Sequence, residues 1–268
     1  MPEAGDGTAG VTARSVVVWE HLQAALADQV TRTHAQRLDV LDLGGGSGGF
    51  AVPVARLGHR VTVVDPSPDA LAALARRIGR GAGAPRPPTP ELSIRAVQGD
   101  ATDLGTVVPA ASYDVLVCHG VLEHVDDVAV ALRSVAGAVR PGGLVSVVVA
   151  NRLAAVLARA LGGHFADARR VLADPDGRWG PADPLRRRFL RAELVAALQA
   201  AGLHVEQVRG ARVLGDLVPG SLVDAAPGSA TELGELERTL ADHPGFLDIA
   251  SALHVLARRH QPPPEGAG

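Results

Sequence analysis

The sequence predicts an open, doubly wound α/β sheet of about seven strands, the last antiparallel, with insertions after strands five and six. Three observations carry that expectation. Short Val/Leu-rich runs alternate with segments of helical spacing, the βαβ order of a mostly parallel sheet. The first such run ends in the glycine-rich stretch Gly44 to Gly49, where a helix should begin. The chain has 268 residues, 47% hydrophobic and 21% charged, enough to bury one large core without disulfides or metals.

Leu38 to Leu43, Arg60 to Val64, Leu92 to Val97, Tyr113 to Cys118 and Leu144 to Ala150 read as buried parallel strands, because each is a short, Val/Leu-rich run. Gly49 to Leu57, Pro68 to Ile78 and Asp127 to Val139 read as the crossover helices. After Asn151 the alternation breaks. A helix over Phe189 to Ala201, a sixth strand over His204 to Arg209 and an antiparallel seventh over Ala252 to Ala257 remain legible. Residues 11–260 are therefore expected to form one domain, with insertions at about 151–188 and 210–251. Both leave the carboxyl edge of the sheet, where ligands of such folds sit, and so are placed to form a lid. Residues 1–10 and 261–268 are Gly/Pro-rich and read as flexible tails, and Gly79 to Pro90 as a loop.

With 26 basic and 29 acidic residues the net charge is −3, which excludes a generally basic nucleic-acid-coating protein but leaves room for a local basic face. Every basic residue is Arg, and residues with A/T-rich codons are depleted throughout, a mark of genome composition. The single Cys118 excludes an internal disulfide framework and a multi-cysteine zinc site. No apolar run approaches the roughly 18 residues of a membrane span, and Glu3 and Asp6 at the amino terminus are unlike a signal peptide. A soluble cytoplasmic protein is expected.

The run Asp42, Leu43, Gly44, Gly45, Gly46, Ser47, Gly48, Gly49 fits three motifs. Gly44, Gly46 and Gly49 satisfy the dinucleotide fingerprint G-x-G-x-x-G. Gly45, Ser47 and Gly49 satisfy the hydrolase elbow G-x-S-x-G, but that elbow follows several strands and here the strand is the first. Asp42 to Gly48 also reads D-x-G-x-G-x-G. The acid two residues before the first glycine discriminates, since a carboxylate beside a pyrophosphate is repelled whereas one beside a sulfonium and an ammonium is attracted. Asp65 ends the second strand, where a carboxylate accepts ribose hydroxyls. Gly99 and Asp100 close the third, and Arg140 to Gly143 form a tight turn into the fifth.

In these features the chain resembles the class I S-adenosylmethionine methyltransferases. A closer similarity covers most of Gly7 to Arg259 and is carried by Arg14, Trp19, Asp42 to Gly48, His119 to Glu123, Arg140 to Gly143, Asn151, Gly210 to Asp216, Glu235 to Glu237 and His254. These stretches resemble the bacterial tRNA 5-carboxymethoxyuridine methyltransferases, which esterify the side-chain carboxylate of a modified wobble uridine. The match is weak over Gly79 to Pro90 and Leu161 to Pro184. The resemblance implies S-adenosylmethionine as cofactor, with Arg14, Gly44, Gly45, Asp65, Ala101, Thr102 and His119 as contacts. Arg14 would pair the methionine carboxylate. Asp42, Gly46 and Asp100 join them from the motif reading.

No metal site is expected. His119, Glu123 and His124 miss the H-x-x-E-H pattern by one residue. On the substrate side, Arg186, Arg187 and Arg188 belong to an Arg-rich stretch suited to anticodon phosphates, although a solvated loop has the same composition. Arg212 suits either a substrate carboxylate or an ion pair with Asp216, and Asn151 completes the candidate substrate contacts. Trp179, Phe165 and Phe189 are the stretch's candidates for base stacking. A carboxylate acceptor needs no general base, and no base and orienter pair stands out among His119, His124 and His164, so no catalytic residue is assigned. The acceptor is left between tRNA and a small molecule of secondary metabolism.

Overall fold

The computed structural model describes residues 16–80, 92–223 and 226–261. Arg14, the amino-terminal tail, all of the carboxyl-terminal tail but Gln261, and most of the expected loop after Gly79 lie outside them. In chain order the elements are α1 (Val16–Thr33), β1 (Asp39–Leu43), α2 (Ala51–Arg56), β2 (Arg60–Asp65), α3 (Pro68–Arg80), β3 (Ile94–Gln98), α4 (Leu104–Val107), β4 (Tyr113–His119), α5 (Val128–Ala138) and β5 (Val139–Ala150). They continue with α6 (Arg152–Leu161), α7 (Phe165–Ala173), α8 (Arg191–Ala200), β6 (Leu203–Ala211), α9 (Gly220–Val223), α10 (Ser229–Ala241), α11 (Pro244–Leu247) and β7 (Ala252–Arg259).

The seven strands form one sheet in the order β3-β2-β1-β4-β5-β7-β6. The first five are parallel, and β7 runs antiparallel between β5 and β6. Val40, Leu41, Val115, Leu116, Val117, Val145 and Val147 are all under 2% exposed, so the central strands are covered on both faces. One core packs α5 and α8 against Leu41, Leu116 and Val145. The other packs α1, α2 and α3 against Val40, Val63 and Val115 through Trp19, Leu22, Val52 and Leu74. Continuous burial explains why these strands read as unbroken apolar runs rather than as alternating ones. No helix among the described residues is long and apolar enough to cross a membrane.

Strand five begins at Val139 rather than Leu144. Tyr113 pairs with Val139 but Val115 with Leu144, so Arg140 to Gly143 are a bulge within the strand. Gly142 has φ +75°, which only glycine adopts readily, and that is how the turn fits inside the ladder. Arg140 there pairs with Asp114 at 2.6 Å and Asp39 at 3.1 Å, tying three strand beginnings together at the amino edge, away from any ligand.

At the opposite edge Ala150, Ala252 and Ala211 lie side by side in register, so β5 and β6 end, and β7 starts, on one line. The expected insertions depart from this line. The first contains the hairpin α6 and α7 and then an irregular stretch pinned by buried arginines. Arg152 donates to the Pro175 carbonyl at 2.6 Å and pairs with Glu193 of α8 at 2.9 Å. The second contains α9, α10 and α11 around a small core of Val213, Leu240 and Ala250. Arg238 of α10 grips Glu20 of α1 through both carboxylate oxygens.

Candidate functional site

The glycine loop follows β1 and leads into α2. Gly46 has φ +54°, and its N–H donates to Oδ2 of Asp65 at 2.9 Å, so the loop is folded back onto the end of β2. Gly44 has φ +68°, and a Cβ there would lie 2.5 Å from Cγ2 of Val121. Side chains are therefore excluded on two counts, and the loop backbone stays open to a ligand.

Asp42 points into the space beneath this loop. It is 4% exposed, and its Oδ2 has no hydrogen-bond partner among the described residues. Burial pushes its pKa up to about 7, and the nearby charge of Asp65 adds to the rise. The carboxylate accepts the Ala51 backbone N–H, and its second, unpartnered oxygen fits a cationic ligand. Asp65 is 8% exposed, and its oxygens accept the N–H groups of Gly46 and Ser67, both at 2.9 Å. Each oxygen keeps a second lone pair, so the pair can still accept two ribose hydroxyls.

Asp100 accepts from the backbone and the hydroxyl of Thr102, at 2.9 and 2.8 Å, and that turn sets the loop after β3 beside the ends of β1 and β2. Ala101 is buried within it. A cationic nucleoside bound on the β1 to β3 side would have Asp42 near its charge, Asp65 at its ribose and Asp100 to Thr102 alongside its base. These residues fit S-adenosylmethionine.

Next to it, a cavity of about 330 Å³ opens over the ends of β4, β5 and β6, lined among others by Phe50, His119, Glu123, Leu185, Ala211 and Arg212. His119 meets Phe50 edge to face with centroids 4.7 Å apart. Its Nε2 shares a hydrogen bond with Ser146 Oγ at 2.8 Å, and burial lowers its pKa to about 3. Glu123 accepts the Ala150 N–H at 2.7 Å through Oε1, while Oε2 is buried with no partner among the described residues. Burial raises its pKa.

Arg212 reaches the cavity through an unusual backbone. Its φ is +56°, in the left-handed region that a non-glycine residue enters only when held there. Glu237 of α10 does the holding, because its carboxylate accepts the N–H groups of Val213, Leu214 and Gly215 at 2.8, 2.7 and 2.6 Å. The Arg212 guanidinium lies 3.4 Å from Asp216, the expected ion pair, and Arg212 also lines the cavity.

Four expectations on the substrate side are corrected, at Asn151, Arg188, Trp179 and Phe189. Asn151 caps α6 by accepting the Leu153 N–H and donates to the carbonyls of Asp248 and Ala250, so both amide protons are used and the side chain, buried at 3% exposure, is structural. Arg188 is 6% exposed and forms a two-pronged pair with Asp183 at 2.7 and 3.0 Å, which makes it a structural clamp rather than a phosphate contact. Arg186 is exposed and pairs with Asp126, and Arg187 donates to the Asp126 carbonyl. Trp179 is stacked by Arg159 and Arg188, and Phe189 is buried, so neither is free for a base. Phe165 is exposed. Sequence reasoning passed over Ser146, Phe50 and the clamping role of Glu237. Ser146 carries no signal in a Val-rich strand, whereas Phe50 adjoins the glycine loop and was within reach.

Comparison with known proteins agrees with this geometry. The family description "Methyltransferase domain" matches residues 18–208. A ubiquinone biosynthesis O-methyltransferase of Methylocella silvestris is 37% identical over 168 residues, 62% of this chain and 58% of that protein. The tRNA 5-carboxymethoxyuridine methyltransferase of Escherichia coli is 27% identical over 263 residues, 95% of this chain and 91% of that protein. Among solved structures, a SAM-dependent methyltransferase of Methanosarcina mazei superposes with a TM-score of 0.58 at 17% identity, covering 87% of this chain and 98% of that one. Magnesium protoporphyrin IX methyltransferase of Synechocystis, solved with bound SAH, gives 0.57 at 14% identity, covering 92% and 85%. The chain spans 58% of the length of the Methylocella relative; it belongs to the methyltransferase domain family and has a Rossmann-like fold.

Proposed function

We propose that the chain methylates the side-chain carboxylate of a modified wobble uridine in tRNA, and that residues 151–188 and 210–251 close over the acceptor. The supporting observation is the similarity to the Escherichia coli tRNA 5-carboxymethoxyuridine methyltransferase over 95% of the chain, which takes in both insertions. The Methylocella ubiquinone relative aligns with 62% of the chain. Acceptor selection belongs to the insertions, because they depart from the sheet edge beside the cavity. This reading places the protein in the cytoplasm with tRNA.

S-adenosylmethionine supplies, when bound, a methyl group made electrophilic by its sulfonium. The chain's own residues then orient and enclose. Asp42 and Asp65 hold the cofactor, and Arg212 holds one acceptor oxygen so that the other faces the methyl carbon. A carboxylate of pKa near 4 is ionised at pH 7 and needs no base. Alignment of this kind supplies about 7 to 11 kcal/mol of the barrier.

A second reading is a small-molecule O-methyltransferase. Glu123 favours it, since its unpartnered Oε2 and raised pKa suit removal of a proton from a phenolic hydroxyl. Nucleoside mass spectrometry of tRNA from a deletion strain separates the two. Loss of the methyl ester with accumulation of the free acid supports the first, and unchanged tRNA supports the second.

A further inference from the structure

Ser146 sits in β5 at 0% exposure, between two histidines from different strands. Its Oγ is 2.8 Å from Nε2 of His119 at the end of β4 and 2.9 Å from Nε2 of His254 in β7. A hydroxyl has one proton. In the arrangement that satisfies all three groups it donates to one imidazole and accepts from the other, so the two rings carry opposite tautomers. The Nδ1 atoms of both rings are buried without a partner among the described residues, so the tautomers decide which ring presents an N–H there.

The surroundings of His254 choose. It is 2% exposed, pairs across the ladder with Arg209 of β6, and stacks on His21 of α1 at 5.9 Å. Arg209, His21 and His119 all disfavour positive charge on His254, and Asp242 lies on the Arg209 guanidinium at 2.6 Å. His21 and His119 are neutral at pH 7, so the cation beside His254 is Arg209, its partner across the ladder, and an orphan N–H next to that guanidinium costs more than an orphan lone pair. His254 thus keeps a bare Nδ1 and donates from Nε2 to Ser146. Ser146 donates onward to Nε2 of His119, whose proton is left on Nδ1. His119, unlike His254, lines the cavity.

We propose that Ser146 and His254 are positioning residues that fix His119 as the neutral Nδ1–H tautomer, so that its N–H serves an oxygen of the bound cofactor. The carboxylate of the amino-acid moiety is the oxygen that suits it, because a donor beside the sulfonium would be repelled. The inference rests on family membership and on His119 meeting the cofactor, and is independent of the methyl acceptor.

Two-bond proton–nitrogen spectra of protein labelled with ¹⁵N-histidine test it. Opposite tautomers are expected, Nδ1–H at His119 and Nε2–H at His254. S-adenosylhomocysteine should move the His119 N–H proton downfield, and methylthioadenosine, which lacks the amino-acid moiety, should not. Ser146→Ala should mix the His119 tautomers and weaken S-adenosylhomocysteine about three- to tenfold, the worth of one hydrogen bond. His254→Leu should do the same, whereas His254→Gln, whose amide can donate from the Nε2 position, should restore both. An Nε2–H tautomer at His119 in the unsubstituted protein overturns the proposal, a result that needs no variant to fold. Equal effects of both ligands, or unchanged affinity in a folded Ser146→Ala protein, overturn it as well.

Discussion

Facing the cofactor's cation, Asp42 should couple binding to pH. Its pKa stands at about 7 against an ordinary 3.8, so the folded chain resists ionising it. A group raised in this way leaves stability intact at acid pH and erodes it as pH climbs from about 4 to 7, with no further loss above. Asp42→Asn should therefore melt above the unsubstituted protein at pH 8 and show a smaller gain at pH 5. A bound cation reverses the preference and draws the proton off. Cofactor affinity should rise from pH 6 to 8 with proton release, measurable by calorimetry in two buffers of different ionisation enthalpy, and Asp42→Asn should abolish the slope. If proton uptake is seen instead, Asp42 does not face the cation. Asp65→Ala should lose charge-assisted hydrogen bonds of about 1.5 to 3 kcal/mol each before water compensates. An unchanged dissociation constant would remove Asp65 from the site.

The segment after β6 works as a unit. Arg212 is usable because Glu237, twenty-odd residues later on α10, gathers three consecutive N–H groups and holds the turn. Glu237→Ala should lower kcat at least tenfold while leaving cofactor affinity within about twofold, since its hydrogen bonds are on the acceptor side; the magnitude follows from several lost bonds to a charged group. Equal losses in both quantities would point to general unfolding of the insertion. The first insertion is built differently, around the buried Arg188–Asp183 pair. Removing one partner from such a pair costs about 3 to 5 kcal/mol, so Arg188→Ala should lower the melting temperature markedly. Arg186 and Arg187 lie nearer the surface, and replacing both with Gln should flatten the salt dependence of activity on tRNA without disturbing the fold.

For the molecule as a whole, the centre of the sheet was legible because β1, β4 and β5 are buried on both sides, which writes itself as Val/Leu runs, and because glycines must occupy the turn before α2; β3, expected to be buried, is instead a half-exposed edge strand. Asp42, Asp65 and the Asp100 to Thr102 turn were legible for the same reason, since each sits at a fixed distance from a strand end. The insertions were not. Their helices bury partial faces against irregular neighbours, and Arg188 and Asn151 look like solvent-facing polar residues until Asp183 and the Asp248 and Ala250 carbonyls are seen around them. Ser146 and His254 are separated by more than a hundred residues, and only strand pairing brings them together.

The place of β7 bears on the order in which the molecule can be made. It is hydrogen-bonded along both sides, to β5 and to β6, yet it is synthesised after every other strand. On the ribosome β5 and β6 must wait side by side with their facing edges unpaired, and each is a template for another chain until residues 252–259 emerge. His254 arrives with that strand, so Ser146 gains its second imidazole only after β7 has emerged. A nascent chain halted at Ser251 should therefore be recovered with chaperones or in aggregates, and should fail to retain S-adenosylhomocysteine. Release of eight more residues should convert it in one step to a protease-resistant form.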